Sequence, residues 1–123
     1  MVRSLLLLNT LLTLPFGVVA LVAPGALFGQ FGLQLDSAGT LLARGYGATL
    51  VAYGLALWLL RNATEPRTTA VLLWSLVAFN AIESAIQAVA GMHGVAQPII
   101  LANAALHGVV ALLCVVAASK ARR

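Results

Sequence analysis

Charged residues are scarce in this chain: Lys, Arg, Asp and Glu together make up only 8% of its 123 residues. Soluble globular domains carry about 25% charged and about 45–50% apolar residues, whereas 62% of this chain is hydrophobic. The shortage of charge therefore excludes an ordinary soluble domain. It indicates an integral membrane protein, and the length allows about four spans of roughly 20 residues each.

Cysteine is nearly absent as well, since Cys114 is the single one. One cysteine excludes an internal disulfide and any metal site built from cysteines. The chain also lacks a phosphate-binding glycine loop, the ligand spacing of a zinc site and the nucleophile elbow of a hydrolase. We therefore expect no bound metal and no cofactor. The net charge of +4 indicates no nucleic-acid partner, because the basic residues stand singly or in pairs at the ends of apolar runs.

Four apolar runs predict an all-α, polytopic membrane protein. The predicted spans are residues 5–22, 40–60, 67–90 and 99–118. The stretch PGALFGQFGLQLDSAG, which follows the first span, is broken by glycines yet remains apolar, so it predicts a short segment lying on the membrane surface. The four spans are expected to form one domain over residues 1–123, a four-transmembrane-helix bundle.

Two sequence features predict how these spans pack. Pro15 predicts a kink in the first span, and Asn9, Thr10 and Thr13 are placed to bond the carbonyl groups that the proline frees. Small residues at four-residue spacing predict close helix contacts. They are Ala48, Ala52 and Ala56 in the second span, Ala81 and Ala85 in the third, and Ala104 and Gly108 in the fourth.

The distribution of basic residues predicts the orientation in the membrane. Apart from Arg44, they fall at the N-terminus, in the loop after the second span and at the C-terminus, whereas the other two loops contain no Lys or Arg. They are Arg3, Arg61, Arg67, Lys120, Arg122 and Arg123. Cytoplasmic loops carry the excess of Lys and Arg. We therefore expect a multi-pass protein of the inner (plasma) membrane with both termini in the cytoplasm.

The stretch FNAIESAIQA, inside the third span, carries a carboxylate among amide and hydroxyl groups. At 3.6 residues per turn its polar residues share an arc of roughly 100° on one helix face. They are Asn80, Glu83, Ser84 and Gln87. A polar stripe this narrow is expected to face the interior of the bundle, because ionisable groups within a membrane avoid lipid.

The neighbouring spans offer partners for this stripe. Asn103 and His107 share a face of the fourth span, and a rise of 1.5 Å per residue places Glu83 and His107 at similar depths, roughly 10–12 Å below the outer boundary. In the second span, Arg44 lies opposite a face that carries Tyr46 and Tyr53. Either the face with Arg44 or the face with the tyrosines can contact the polar stripe of the third span. The candidate catalytic residues are Glu83 and His107, and the candidate substrate-binding residues are Asn80, Gln87, Asn103, Arg44, Tyr46 and Tyr53.

The segments LLARGYGATLVAYGLALWLL and FNAIESAIQAVAGMHG resemble the small bacterial four-span membrane proteins of the DoxX-like group. The resemblance covers the second to fourth spans. It rests on Arg44, Gly45, Gly47 and Gly54 in the second span, and on Ser84, Gln87, Gly91 and Gly94 at the end of the third. The chain departs from these relatives in the third span, where they often carry an arginine and this chain has Glu83 in that neighbourhood. The resemblance implies the four-helix fold, and some members of the group are described as membrane redox subunits.

Three functions fit these patterns. The first is an enzyme or binding protein for a lipophilic small molecule, in which Glu83 and His107 catalyse acid–base isomerisation or cyclisation of an isoprenoid- or sterol-like substrate. The second is a proton-linked transporter or channel subunit that works as a homo-oligomer. The third is an accessory subunit whose small-residue faces dock on a larger membrane complex. Beside these functions stands a purely structural interpretation, in which the polar residues form a hydrogen-bonded network and Arg44 pairs with Glu83. The polar groups concentrate in the outer half of the membrane, which favours the first over a pore.

Overall fold

The computed structural model describes residues 1–121, and these residues form helices and no strands. The helices are α1 (Val2–Val22), α2 (Pro24–Gly29), α3 (Ser37–Leu59), α4 (Pro66–Met92) and α5 (Ile99–Ala121). The all-α prediction is confirmed. The segment that was expected to lie on the membrane surface contains the short helix α2. Arg122 and Arg123, which entered the orientation argument, lie outside the described residues.

Two carboxylates determine where α3 and α4 begin. Asp36 precedes α3 and accepts a hydrogen bond from the backbone N–H of Gly39, 2.6 Å away. Glu65 precedes α4 and accepts hydrogen bonds from the N–H groups of Arg67 and Thr68, while Pro66 occupies the first helical position. Such caps satisfy N–H groups that have no partner inside the helix.

Three helices of the described residues are long and apolar enough to cross a membrane, namely α1, α4 and α5. Their length and composition agree with the membrane character that the sequence predicts. The helix α3 has 23 residues but is not among the three. Its apolar character is diluted by Arg44, by the tyrosines Tyr46 and Tyr53, and by several glycines.

The chain divides into two compact units. One unit is Leu6–Leu60, which contains most of α1 together with α2 and α3; the other contains α4, α5 and the N-terminal residues Met1–Leu5. Each unit is described by itself below. That the whole chain forms a single domain stays a prediction.

The helices α1 and α3 approach closely at glycine residues. A Cβ atom on Gly17 would lie 2.8 Å from the carbonyl oxygen of Gly47, and one on Gly54 would lie 2.8 Å from the hydroxyl of Thr13. Thr10 donates a hydrogen bond to the carbonyl of Gly54 across the same contact, at 3.5 Å. Absence of side chains at Gly47 and Gly54 lets the two backbones meet, as small residues do between membrane helices.

Two predictions about packing are wrong. The small residues Ala48, Ala52 and Ala56 of α3 are exposed, because α3 packs through a different face, which carries Gly47 and Gly54. The hydroxyls of Thr10 and Thr13 do not bond the carbonyl that Pro15 frees, which belongs to Leu11. They donate to Leu6 and Asn9, each four residues earlier, because the helical rotamers of threonine point its hydroxyl at that carbonyl.

The helices α4 and α5 pack antiparallel. Ser84 lies beside Ala104, and seven residues further along α4 a Cβ atom on Gly91 would meet the side chain of Leu101. Contacting residues therefore have increasing numbers along α4 and decreasing numbers along α5, as antiparallel packing requires. The connection between them turns at Gly94, whose φ of 67° lies in the left-handed region that favours glycine.

Candidate functional site

The polar stripe of α4 lies against α5. Ser84 donates a hydrogen bond to the carbonyl of Ala104 at 2.8 Å. On either side of this bond, amide side chains of the stripe contact Asn103 and His107. The structure therefore brings together Asn80, Glu83, Gln87, Asn103 and His107, five of the residues that the sequence singled out.

One part of the cluster is a chain of hydrogen bonds that ends on Glu83. The amide nitrogen Nδ2 of Asn103 donates to Oε1 of Gln87 at 2.8 Å, and Nε2 of Gln87 donates to Oε2 of Glu83 at 2.9 Å. In both bonds the donor lies further along the chain of side chains from Glu83 than the acceptor does, so the carboxylate is the final acceptor. Gln87 is thus engaged at both ends of its amide and holds the carboxylate of Glu83 in place.

The other part of the cluster holds His107. Its ring nitrogen Nδ1 lies 2.8 Å from Oδ1 of Asn80, whose Nδ2 donates to the backbone carbonyl of Leu76 at 2.9 Å. Asn80 is fully buried, whereas the histidine ring is half-buried. Phe79 meets the imidazole at a ring-centroid distance of 6.0 Å and an angle of 77°. An amide and an aromatic ring therefore determine the orientation of the histidine.

The cluster contains two side chains that can donate or accept a proton. Glu83 and His107 belong to the same helix pair, and each is held by a different amide side chain. A carboxyl group can donate or accept a proton, and a neutral imidazole has one nitrogen that accepts. Within residues 1–121, no group of three or more His, Cys, Asp and Glu side chains is placed to hold a metal ion.

The remaining candidates lie in the other unit, on α3. Arg44 is exposed, whereas Tyr46 and Tyr53 are half-buried. The ring of Tyr46 packs edge-on against Phe16 at 6.5 Å, and Phe16 in turn meets Phe28 of α2 at 6.1 Å. Tyr46 is therefore part of an aromatic contact among α1, α2 and α3. A substrate-binding role for these three residues stays a prediction.

Sequence reasoning missed two features of the α4–α5 pair. One is the contact of Phe79 with His107, which the i, i+4 rules within one helix do not reveal. The other is an open apolar groove of about 410 Å³, lined by Val77, Ala81, Ser84, Ala85 and Ala88 of α4 and by Gly108, Ala111, Leu112 and Val115 of α5. At 100° per residue, its α4 residues other than Ser84 lie about 120–160° around the helix from Glu83. The groove therefore opens on a different side of α4 from the carboxylate.

Comparisons with protein families, with curated proteins and with solved structures give no match for this chain. The resemblance to DoxX-like proteins stays a prediction. The function is argued from the residues of the cluster itself.

Proposed function

We propose that this protein is a four-span membrane protein of the inner (plasma) membrane, with both termini in the cytoplasm. In this proposal α3 crosses the membrane in addition to α1, α4 and α5. At 1.5 Å per residue, the 23 residues of α3 extend over about 34 Å, and the hydrocarbon core of a bilayer is about 30 Å thick. Arg44 lies about two turns from the start of α3, so its long side chain can reach the membrane surface while its stem stays in the apolar layer.

The polar cluster of α4 and α5 binds a lipophilic small molecule in this proposal. The observation that carries it is the pair of hydrogen-bonded arrays that hold Glu83 and His107 between two strongly apolar helices. A charged group at the centre of a span costs about 2.5–3.5 kcal/mol, whereas a hydrogen bond between membrane helices contributes about 0.6 kcal/mol on average. Stabilisation of the helix pair does not offset that cost, and a role in binding or chemistry gives Glu83 a reason to be there.

The chemistry that suits the cluster is acid–base isomerisation or cyclisation of an isoprenoid- or sterol-like molecule. Glu83 donates a proton to a carbon–carbon double bond, and His107 removes a proton from a neighbouring carbon, so that the double bond shifts or a ring closes. Gln87 and Asn103 orient the carboxylate. A dry, apolar surrounding protects the cationic intermediate from water.

Mass spectrometry of the purified protein tests the proposal. Wild-type protein from detergent is expected to carry an organic-soluble molecule of defined mass. Glu83→Gln keeps the hydrogen bond from Gln87 and the side-chain volume but cannot donate the proton, so it is expected to retain the substrate. Substrate and product are isomers of equal mass, so chromatography before the mass spectrometer separates them, and the variant is expected to shift the ratio of the two isomers toward the substrate. Matched controls are Glu65→Gln and His93→Gln, which change exposed residues outside the helix pair.

The proposal fails if no lipophilic molecule accompanies the wild-type protein under gentle extraction. Acid–base chemistry fails if the Glu83→Gln and Glu65→Gln proteins carry the same molecules in the same ratio as the wild type. The alternatives of a proton-linked homo-oligomeric transporter and of an accessory subunit stay predictions.

A further inference from the structure

Asn80 occupies a position that differs from that of the other polar residues in the stripe. It has no exposed surface, whereas Glu83, Ser84 and Gln87 are half-buried. Both ends of its amide are engaged, Nδ2 with the carbonyl of Leu76 and Oδ1 with His107. A ligand therefore has no access to Asn80, and its role must be exerted through a neighbour.

The hydrogen bonds of Asn80 determine which nitrogen of His107 carries the proton. The carbonyl of Leu76 only accepts, so the NH₂ group of Asn80 must face it, and the amide oxygen must face the histidine. That oxygen also only accepts, and Nδ1 of His107 must therefore donate. In the neutral ring the lone pair then belongs to Nε2, which becomes the accepting atom of the side chain.

We infer that Asn80 is a positioning residue that holds His107 in the tautomer with a proton on Nδ1 and thereby presents Nε2 as the basic atom. The inference rests on the proposed function in one respect, which is that Nε2 meets the ligand. A neutral histidine in water prefers the opposite tautomer, with the proton on Nε2. Without Asn80, the preferred tautomer would place the proton on Nε2, and the atom that faces the bound molecule would lose its capacity to remove a proton.

Nitrogen NMR of isotope-labelled histidine in detergent micelles measures the tautomer directly. The chain contains two histidines, so the exposed loop residue His93 serves as the internal reference. The measurement is made about two pH units above the ordinary histidine pKa of about 6.5, a condition that favours the neutral ring. His107 is expected to show the Nδ1–H pattern, and His93 the mixture of a ring in water.

Two variants separate positioning from mere packing. Asn80→Leu fills a similar volume without an acceptor, and the His107 spectrum is expected to move toward the mixture shown by His93. Asn80→Asp retains an acceptor oxygen at the same place and is expected to keep the Nδ1–H pattern. If Asn80→Leu does not fold, the wild-type spectrum still tests the inference, because an Nε2–H pattern for His107 overturns it.

The inference is overturned by an Nε2–H pattern for His107 in the wild type, or by a tautomer that is the same in Asn80→Leu and wild type. These results leave the proposed function intact if a lipophilic molecule still accompanies the protein. Conversely, an Asn80-dependent Nδ1–H pattern in a protein that carries no such molecule supports the positioning role and counts against the proposed function.

Discussion

Gly17 and Gly47 meet backbone to backbone where α1 passes α3. A Cβ atom on either residue would lie 2.8 Å from the carbonyl oxygen of the other. Both residues are buried. Because the obstructing atoms belong to rigid helical backbone, a side chain here can be accommodated only if the helices separate.

Substitution of Gly47 by alanine is therefore expected to destabilise the α1–α3 pair. Overpacking typically costs about 1–3 kcal/mol, which exceeds the gain of about 0.5–1 kcal/mol from replacing a helical glycine. Thermal melting in detergent measures the change. The matched control is Gly45→Ala on the same helix, where nothing lies within 4 Å of the added atom and a small stabilisation is expected. Equal melting temperatures for the two variants would contradict the close contact.

Acid is expected to destabilise the first turn of α4, because protonation of Glu65 weakens the cap that this residue provides. The hydroxyl of Thr68 and the backbone N–H groups of Thr68 and Arg67 hold the pKa of Glu65 below its usual range. A lowered pKa in the folded protein means that the stabilisation is present above the usual pKa and is lost as the pH falls through the lowered value. Circular dichroism melts over this acid range should show a decrease in wild type that Glu65→Gln reduces. If Glu65→Gln loses as much stability in acid as the wild type, Glu65 is not the group responsible. The effect would then belong to another group, and the chain has only two other acidic residues.

The hydrogen bond between Asn103 and Gln87 should be measurable as a coupling energy. A double-mutant cycle with Asn103→Ala and Gln87→Ala is expected to give about 0.6 kcal/mol, with an upper limit of about 1.7 kcal/mol for bonds of this kind. Unfolding in mixed micelles provides the four stabilities. Asn103→Ala combined with Gln97→Ala, a change at an exposed loop residue, should give no coupling. A zero value for the first pair would mean that the bond does not link the helices.

Glu83→Gln is expected to leave the melting temperature close to that of the wild type. Glutamine can accept the same hydrogen bond from Gln87 through its carbonyl oxygen. If Glu83 instead formed a buried ion pair with Arg44, loss of one partner would cost about 3–5 kcal/mol. A large decrease in melting temperature that Arg44→Gln restores in the double variant would establish that pair and oppose the catalytic role.

Cysteine labelling should establish the orientation in the membrane. Ser37→Cys, at the exposed start of α3, is expected to react with an impermeant thiol reagent added outside intact cells. Thr64→Cys, in the exposed loop before α4, should react only after the membrane is opened. The native Cys114 is buried and should contribute little background. Reversed labelling of the two positions would overturn the predicted topology.

The sequence by itself determined the four long helices and their order, whereas the short helix α2 was expected only as a segment on the membrane surface. Their ends depend on local bonds: the third span was expected at 67–90, and α4 runs from Pro66 to Met92 because Glu65 caps it. The second was expected to begin at residue 40, and α3 begins at Ser37 because the cap of Asp36 adds the first turn. The common face of Asn80, Glu83 and Gln87 also followed from the sequence, since the helical period alone places residues three and four apart on one side.

The partners of that face were decided by the tertiary structure. From the sequence, residues of either α3 or α5 were possible partners of the stripe. The packed helices show Asn80 bonded to His107 and Asn103 bonded to Gln87. The same holds for α3, where the alanine spacing predicts one packing face and Gly47, on another face, is the residue that packs. The rotation of a helix about its own axis depends on contacts with residues distant in the chain. Where apolar residues cover every side of a helix, hydrophobic periodicity cannot determine that rotation, and close packing of the neighbouring backbone does.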